Sequence, residues 1–458
     1  MHDQRIKSSA RRQIPAVGRI LDALGPCHLP RTLVVDVIRR KLSHIRTERS
    51  VPDFESLVAL VRRSLDELRA NRLQAIINGT GIIIHTNFGR APLASEAIRA
   101  LNEIGSTYSN LEYDLARGER GRRGSYIENA LALLCGAEAA TVVNNCAAAL
   151  VLIVRHFTGN KTDVVISRGE LVQIGGGFRI GEIIEATGAR LREVGATNKT
   201  TIDDYAGAIG SNTGMILKVH RSNFFMSGFV ESPSSEEISA LVRKKRIPLV
   251  EDLGSGAIVA TEYFGIADHE PTPGEVLKSG ADLVCFSGDK LFGAAQAGII
   301  AGKRRFIAAL KREPLFRALR CDKLCLAALQ ATVDLHLDRR TADIPTLALL
   351  QISEHQLRAR AAAICDQLSK SCPGLQIAIG RSAAKVGGGT LPKSTMPSVT
   401  IEIIPKNCSP LDFATRLRNS TPPLVGYIAN DRFKVDLRTI FPQQDDLVVK
   451  AIRAECTK

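Results

Sequence analysis

Short apolar runs bounded by glycine or polar turns recur through the middle of this chain. TVVNN, DVVISRGE, RLREVG, GMILKVH, IPLVEDLGSG and DLVCFSGDK each read as a strand. Most are unbroken aliphatic runs, which suit a strand covered on both faces. Helical stretches fall between most of them, among them Cys146 to His156. This alternation predicts a mainly parallel α/β sheet. Before it, helical spacing appears three times: Ile14 to Leu24, TLVVDVIRRKLSHI after Pro30, and FESLVALVRRSLDELRANRL after Pro52-Asp53. After Lys303-Arg304 the pattern changes. EPLFRALRCDKLCLAALQATVDLHL reads as helical and IPTLALLQISEHQLRARAAAICDQL as one long helix. VGGGTLPKSTMPSVTIEI turns from a glycine-rich loop into a strand, FKVDLRTI is a late strand, and LVVKAIRAEC is a closing helix. The patterns divide the chain into a helical module at 1–75, an α/β domain at 76–335 and a smaller α+β domain at 336–458.

Two stretches fit neither period. NGTGIIIHTNFGRAPL is a strand between glycines that ends in a loop carrying His85, Asn87 and Arg90. YSNLEYDLARGERGRRGSY has too much glycine and arginine for a helix and too much charge for a core strand. It reads as a long irregular loop, the kind that carries function or an interface.

Composition is that of an ordinary enzyme, 45% hydrophobic and 24% charged over 458 residues. No run reaches the roughly 18 apolar residues of a membrane span, and MHDQRIKSSARRQIP lacks the apolar segment of a secretory signal. Ten scattered cysteines without C-x-x-C read as reduced thiols of a cytoplasmic protein. Nine histidines without ligand spacing predict no metal. The net charge is +14, and residues 1–75 hold 15 Lys or Arg against 8 Asp or Glu. That excess suggests a polyanionic partner. Phe54 is the one aromatic ring there besides histidine, so binding is expected through phosphates and shape, not base stacking. Arg39, Arg40, Lys41, Arg62 and Arg63 are the candidate cations.

The chemistry centres on DLVCFSGDKLFGAAQAGIIAG. Lys290 follows a strand and precedes a second apolar run, so it is poorly solvated. Burial disfavours its ammonium and frees the amine to attack a carbonyl, as a Schiff-base lysine for pyridoxal 5′-phosphate requires. Taken singly, S-x-x-K also fits a surface lysine in a turn. Asp252, at the end of the preceding strand, can keep a pyridine nitrogen protonated. Asp289, beside the lysine, is a third catalytic candidate. VVNNCAAALVL offers a strand, a polar turn at Asn144-Asn145 and a helix N-terminus that can hold a phosphate. Cys146 and its small neighbours permit close approach, and Ser287 can add a hydroxyl. Asn144, Glu170, His220, Asp252 and Lys290 all fall at strand ends, where such sheets bind ligands.

These segments resemble the bacterial selenocysteine synthases, the L-seryl-tRNA(Sec) selenium transferases. NGTGIIIHTNFGRAPL, YSNLEYDLARGERG, TVVNNCAAA, ISRGELVQIGGGFRI, REVGATNKT, LKVHRSNF, EDLGSG, FSGDKLFGAAQAG, RALRCDKL, IPTL, VGGGTLP and VDLRT stand in family order from about residue 78 to 439. The resemblance implies a fold-type I pyridoxal-phosphate-dependent transferase with an N-terminal tRNA-binding domain, assembled as a decamer of five dimers. It implies cofactor contacts at Asn144, Asn145, Cys146, His220, Ser287, Lys290 and Asp252. It further implies that seryl-tRNA(Sec) is converted to selenocysteinyl-tRNA(Sec) through a cofactor-bound aminoacrylyl intermediate. Selenophosphate is then the donor, held by Arg90, Arg317 and Arg320. The chain departs from the family at Gln173, Gly177, Ala294-Ala295 and Cys146, the last standing where a third asparagine is usual. Two rival readings remain. One is a small-molecule lyase or aminotransferase of the same fold, such as a phosphosugar-ammonia lyase, which would not need the basic module. The other is a non-catalytic RNA-binding paralogue, which would not need Lys290 and Asp252.

Overall fold

The computed structural model describes residues 14–47 and 51–456. The basic stretch before residue 14, which the sequence reads as free of a signal segment, and Arg49 lie outside them. The chain divides into two compact units. One holds the described residues up to Ile76 together with Asn419–Pro423, and the other holds the remainder.

The first unit is built on three helices, α1 (Val17–Leu24), α2 (Arg31–Ile45) and α3 (Phe54–Ala70). Ile20, Val34, Ile38, Leu42, Leu57, Val61 and Leu65 recur at helical spacing and close a small core. Asp53 caps α3, its carboxylate accepting from the Ser56 N–H at 2.8 Å. The opposite faces leave Arg39, Arg40, Arg62 and Arg63 exposed and Lys41 half-buried. Arg40 is paired with Asp36 at 2.8 Å. The Arg19 guanidinium lies 4.5 Å from the Phe54 ring centre, which occupies the ring's face.

The second unit opens on Ile77–Asn78, paired with Leu424–Val425, then a short strand, β1 (Ile82–Ile84), and then forms a seven-stranded sheet. Its strands are β2 (Ala139–Val143), β3 (Asp163–Ser167), β4 (Arg190–Val194), β5 (Thr213–Val219), β6 (Leu249–Gly254), β7 (Leu283–Ser287) and β8 (Gly298–Gly302). The spatial order is β2-β8-β7-β6-β5-β3-β4. β3 to β7 run parallel, and β8 is antiparallel to both β7 and β2. Both faces are covered. Val284 and Phe286 point into one apolar cluster, Leu283 and Cys285 into the other. Burial on both faces is why β7 shows no alternation.

A second sheet has the order β11-β12-β10-β9-β1, with β9 (Leu375–Gly387), β10 (Thr390–Pro405), β11 (Tyr427–Ala429) and β12 (Arg432–Asp436). The strand between glycines therefore belongs to this sheet and not to the large one. β1 runs parallel to β9, Ile84 facing Gly387.

Three expectations need correction. The long helix from Ile344 is two, Pro345–Gln351 and Glu354–Ser371. Ser353 and Gln356 form a reciprocal capping box at the break, so a new helix starts there. The arginine-rich loop contains a short hairpin, Tyr113–Asp114 against Glu119–Arg120, and from Ser125 onward it is already helix. The stretch from Glu313 to Leu337, read as helical throughout, is two helices, Pro314–Leu319 and Lys323–Leu337. The helix Pro314–Leu319 ends before Arg320, which is extended and bridges to Val143. Among the described residues, no helix is long and apolar enough to cross a membrane.

Candidate active site

β7 delivers Lys290. Its turn is closed by the Gly288 N–H donating to Ala297 O at 2.9 Å and the Ala294 N–H donating to Gly288 O at 2.8 Å. Ala294 and Ala295 lie outside the left-handed region, so the backbone requires glycine at neither position. Lys290 lines a cavity of about 360 Å³ with Asp252, His220, Ser287, Asn145, Cys146 and Arg90. Gly254 beside the amine is required by its backbone and not by space. It adopts φ +69°, and a Cβ there would stand 3.7 Å from Lys290 Nζ and 3.5 Å from Ser222 Oγ. Gly388 and Gly389 bring the β9–β10 turn onto the same cavity.

Asp252 lies two residues before the end of β6 and is 9% exposed. Burial pushes its carboxyl above the usual carboxylate range, against the opposing pull of Lys290, the Cys146 thiol, the Gly254 N–H and His220. Cys146 Sγ donates to Asp252 Oδ1 at 3.4 Å. Asn145 is the N-cap of α4 (Cys146–Phe157), its side chain accepting from the Ala148 N–H at 2.8 Å. The N–H groups of Cys146 and Ala147, in the first turn, have no partner within the helix. Both residues line the cavity, so this helix end can accept an anion there. Asn144 is exposed, does not line the cavity, and donates its N–H to Leu319 O at 2.9 Å.

Asp289 is buried and serves other side chains. It accepts from Ser287 Oγ at 2.9 Å and pairs with Arg90 Nη1 at 2.7 Å. It therefore fixes Arg90 at the cavity wall, a positioning role not legible in the sequence. Arg90 sits at φ +65° directly after Gly89. His220 Nδ1 lies 3.4 Å from Glu270 Oε1, yet the angle gives neither atom a hydrogen bond, although both are buried.

The three arginines expected to hold an anion are not gathered in one cavity. Arg90 lines the Lys290 cavity, while Arg320 lines another of about 480 Å³ with Arg122, Arg123, Lys311 and Arg312. Arg317 is exposed. Glu112 is the missed organiser: it pairs with Arg120 and Arg123 at 3.0 Å and with Arg320 at 3.2 Å. Arg123, whose side-chain hydrogen bond contributes most, and Arg320 beside it hold the Glu112 carboxyl below its usual value.

The residues present fit pyridoxal phosphate. An amine, a buried carboxyl awaiting a cationic partner, an unsatisfied imidazole nitrogen and a helix N-terminus converge on one cavity with glycine walls.

The family described as L-seryl-tRNA selenium transferase matches residues 76–441. The chain belongs to the L-seryl-tRNA(Sec) selenium transferase family. It is 41% identical to the L-seryl-tRNA(Sec) selenium transferase of Aquifex aeolicus, covering 96% of this chain and 98% of that protein. The protein of the same name from Hyphomonas neptunium is 43% identical, with 96% and 98% covered. Among solved structures, D-glucosaminate-6-phosphate ammonia-lyase aligns with a TM-score of 0.58 at 20% identity, covering 84% of this chain and 96% of that one. At that identity the likeness shows the fold alone, which is the fold-type I arrangement of pyridoxal phosphate enzymes.

Proposed function

We propose that the chain converts L-seryl-tRNA(Sec) to L-selenocysteinyl-tRNA(Sec), with pyridoxal 5′-phosphate as cofactor and selenophosphate as selenium donor. The observation that carries this reading is the extent of the likeness. Coverage of 96% of the chain by named selenium transferases reaches through the basic N-terminal unit, beyond the matched 76–441. A small-molecule lyase has no use for that unit.

The cofactor, when bound, supplies an electron sink for the pair left on the seryl α-carbon after proton removal. Lys290 Nζ is the group placed to attach the cofactor and to carry the α-proton. Asp252 holds the ring-nitrogen proton, and burial strengthens that pairing because no water competes. The first-turn N–H groups of α4 hold the phosphate, Ser287 adds a hydroxyl beside them, and His220 contacts the ring system. Arg90, locked by Asp289, is the cation assigned first to selenophosphate. Arg317 and Arg320 remain candidates for its approach. The exposed cations Arg39, Arg40, Arg62 and Arg63, with Lys41, are assigned to tRNA phosphates. A cytoplasmic decamer of five dimers completes the proposal.

The test is incubation of the purified protein with seryl-tRNA(Sec) and selenophosphate, reading the amino acid carried by the tRNA. Selenocysteine supports the reading. Unchanged serine, with the cofactor loaded and tRNA bound, overturns it.

A further inference from the structure

We infer that the cofactor-free chain has a binding site for one thiophilic divalent cation, of the zinc or cadmium class, between Cys146, Cys285 and Asp252. The two sulfurs and a carboxylate oxygen all lie within 4.8 Å of one another. Cys146 Sγ and Asp252 Oδ1 are already 3.4 Å apart. Tetrahedral zinc, with Zn–S at about 2.3 Å and Zn–O at about 2.1 Å, sets its donors roughly 3.5–3.8 Å apart. A contraction of about an ångström or less therefore completes a three-ligand set.

The donors are held by different elements, and two of them are fixed by the sheet. Asp252 on β6 and Cys285 on β7 are register partners, so their side chains leave the same face of neighbouring strands. Cys146 opens α4, which packs on that face. Cys146 and Asp252 line the Lys290 cavity, so a fourth ligand position opens toward it. Three protein ligands and one open position is a common zinc arrangement. Two sulfurs select soft or borderline ions. Magnesium and calcium need six or more oxygens, which this wall does not offer.

Binding exchanges protons for metal. Two thiols lose their protons, two metal–sulfur bonds form, and two protons leave to solvent with no change of oxidation state. Because both thiols must give up their protons to bind, occupancy should increase with pH. The site depends on Cys146, because an asparagine at that position would supply no thiolate. Its consequence rests on the proposed role of Asp252. If that carboxylate holds the cofactor's ring nitrogen, metal and cofactor exclude each other, and a thiophilic ion keeps newly made chain inactive until the cofactor displaces it.

The experiment uses the full-length chain, freed of cofactor and kept under a phosphine reductant. Cadmium is titrated in while the ultraviolet cadmium–thiolate absorption is followed. Wild type should take up one equivalent that is lost in both Cys146→Asn and Cys285→Ala, and zinc should displace it. Equal uptake in wild type and both variants would place cadmium on the other eight cysteines and overturn the site. Cys285 lies behind the cavity wall, so Cys285→Ala should still load cofactor, which reports that it is folded. Pre-loading wild type with pyridoxal phosphate should abolish the equivalent. Undiminished uptake by loaded protein overturns the shared carboxylate. A chain that takes up cadmium but never loads cofactor in metal-free buffer overturns the Lys290–Asp252 reading, and the metal site stands.

Discussion

Asp252 is a carboxyl that the fold removes from water before any cofactor cation meets it. Its folded-state pKa is raised, so the cofactor-free fold holds its proton more tightly than the unfolded chain. Between the ordinary carboxylate value, about 3.9, and the raised one, the folded state carries the extra proton. Stability must then fall as pH rises through that window. Asp252→Asn removes this dependence. Thermal melts of the cofactor-free proteins should show the Asn variant gaining on wild type as pH rises, then a plateau. Glu170, raised by burial in the same direction, is common to both and cancels. A constant difference across pH would remove Asp252 as a buried titrating group. Lys290→Ala should abolish borohydride-reducible cofactor attachment and all turnover, and attachment surviving on another lysine would defeat the assignment. Arg90→Ala should raise the selenophosphate requirement by roughly 1.5–3 kcal/mol, the worth of a charged hydrogen bond. Arg90→Lys should recover part of it, and an unchanged requirement in Arg90→Ala would refute the contact. Lys290 and Asp252 were legible because each ends an apolar run. The partners of Arg90 and Cys146 were not, since Asp289 and Asp252 lie far along the chain and only the sheet brings them together.

At the level of elements, the strands of the large sheet read directly from the sequence because continuous burial leaves continuous apolar runs. β9 did not. Its inward positions alternate, but Leu375, Ile377 and Ile379 are only partly buried and small or polar residues follow, so no apolar run marks it. The break at Ser353 was hidden because apolar residues continue on both sides, and a cap decides the ending, not a change of period. The β9–β10 turn makes a sharper demand. Gly388 has φ +64°, and a Cβ there would stand 2.3 Å from Ile84 Cγ2. Gly388→Ala should therefore cost about 1–3 kcal/mol from strain and overpacking. Because Gly388 lines the cavity, cofactor affinity should fall with it. Unchanged melting temperature and cofactor titration would show that the turn yields freely.

For the whole molecule, the division near residue 76 makes the N-terminal unit separable in principle. A chain lacking residues 1–75 should remain folded and load cofactor, since Lys290, Asp252 and α4 lie in the other unit. It should bind seryl-tRNA(Sec) far more weakly. The full chain's affinity should fall steeply with salt, by roughly 0.7–0.9 of a log unit per contacted phosphate for each tenfold rise. Filter binding of both chains across a salt series checks this, and equal affinities would return the small-molecule lyase to favour. The module's three-helix character was legible from its period; which cations are tied down was not, as the Arg40–Asp36 pair illustrates. The pairing of β1 with β9 bears on how the protein is made. β1 leaves the ribosome early, and its partner follows about three hundred residues later. In that interval Ile82, Ile83 and Ile84 present an open strand edge, the kind that recruits other chains. A message broken between Gly302 and Leu375 would thus yield a polypeptide with its reactive lysine already in place, one wall of its cavity never synthesised, and an adhesive edge left bare for chaperones to guard.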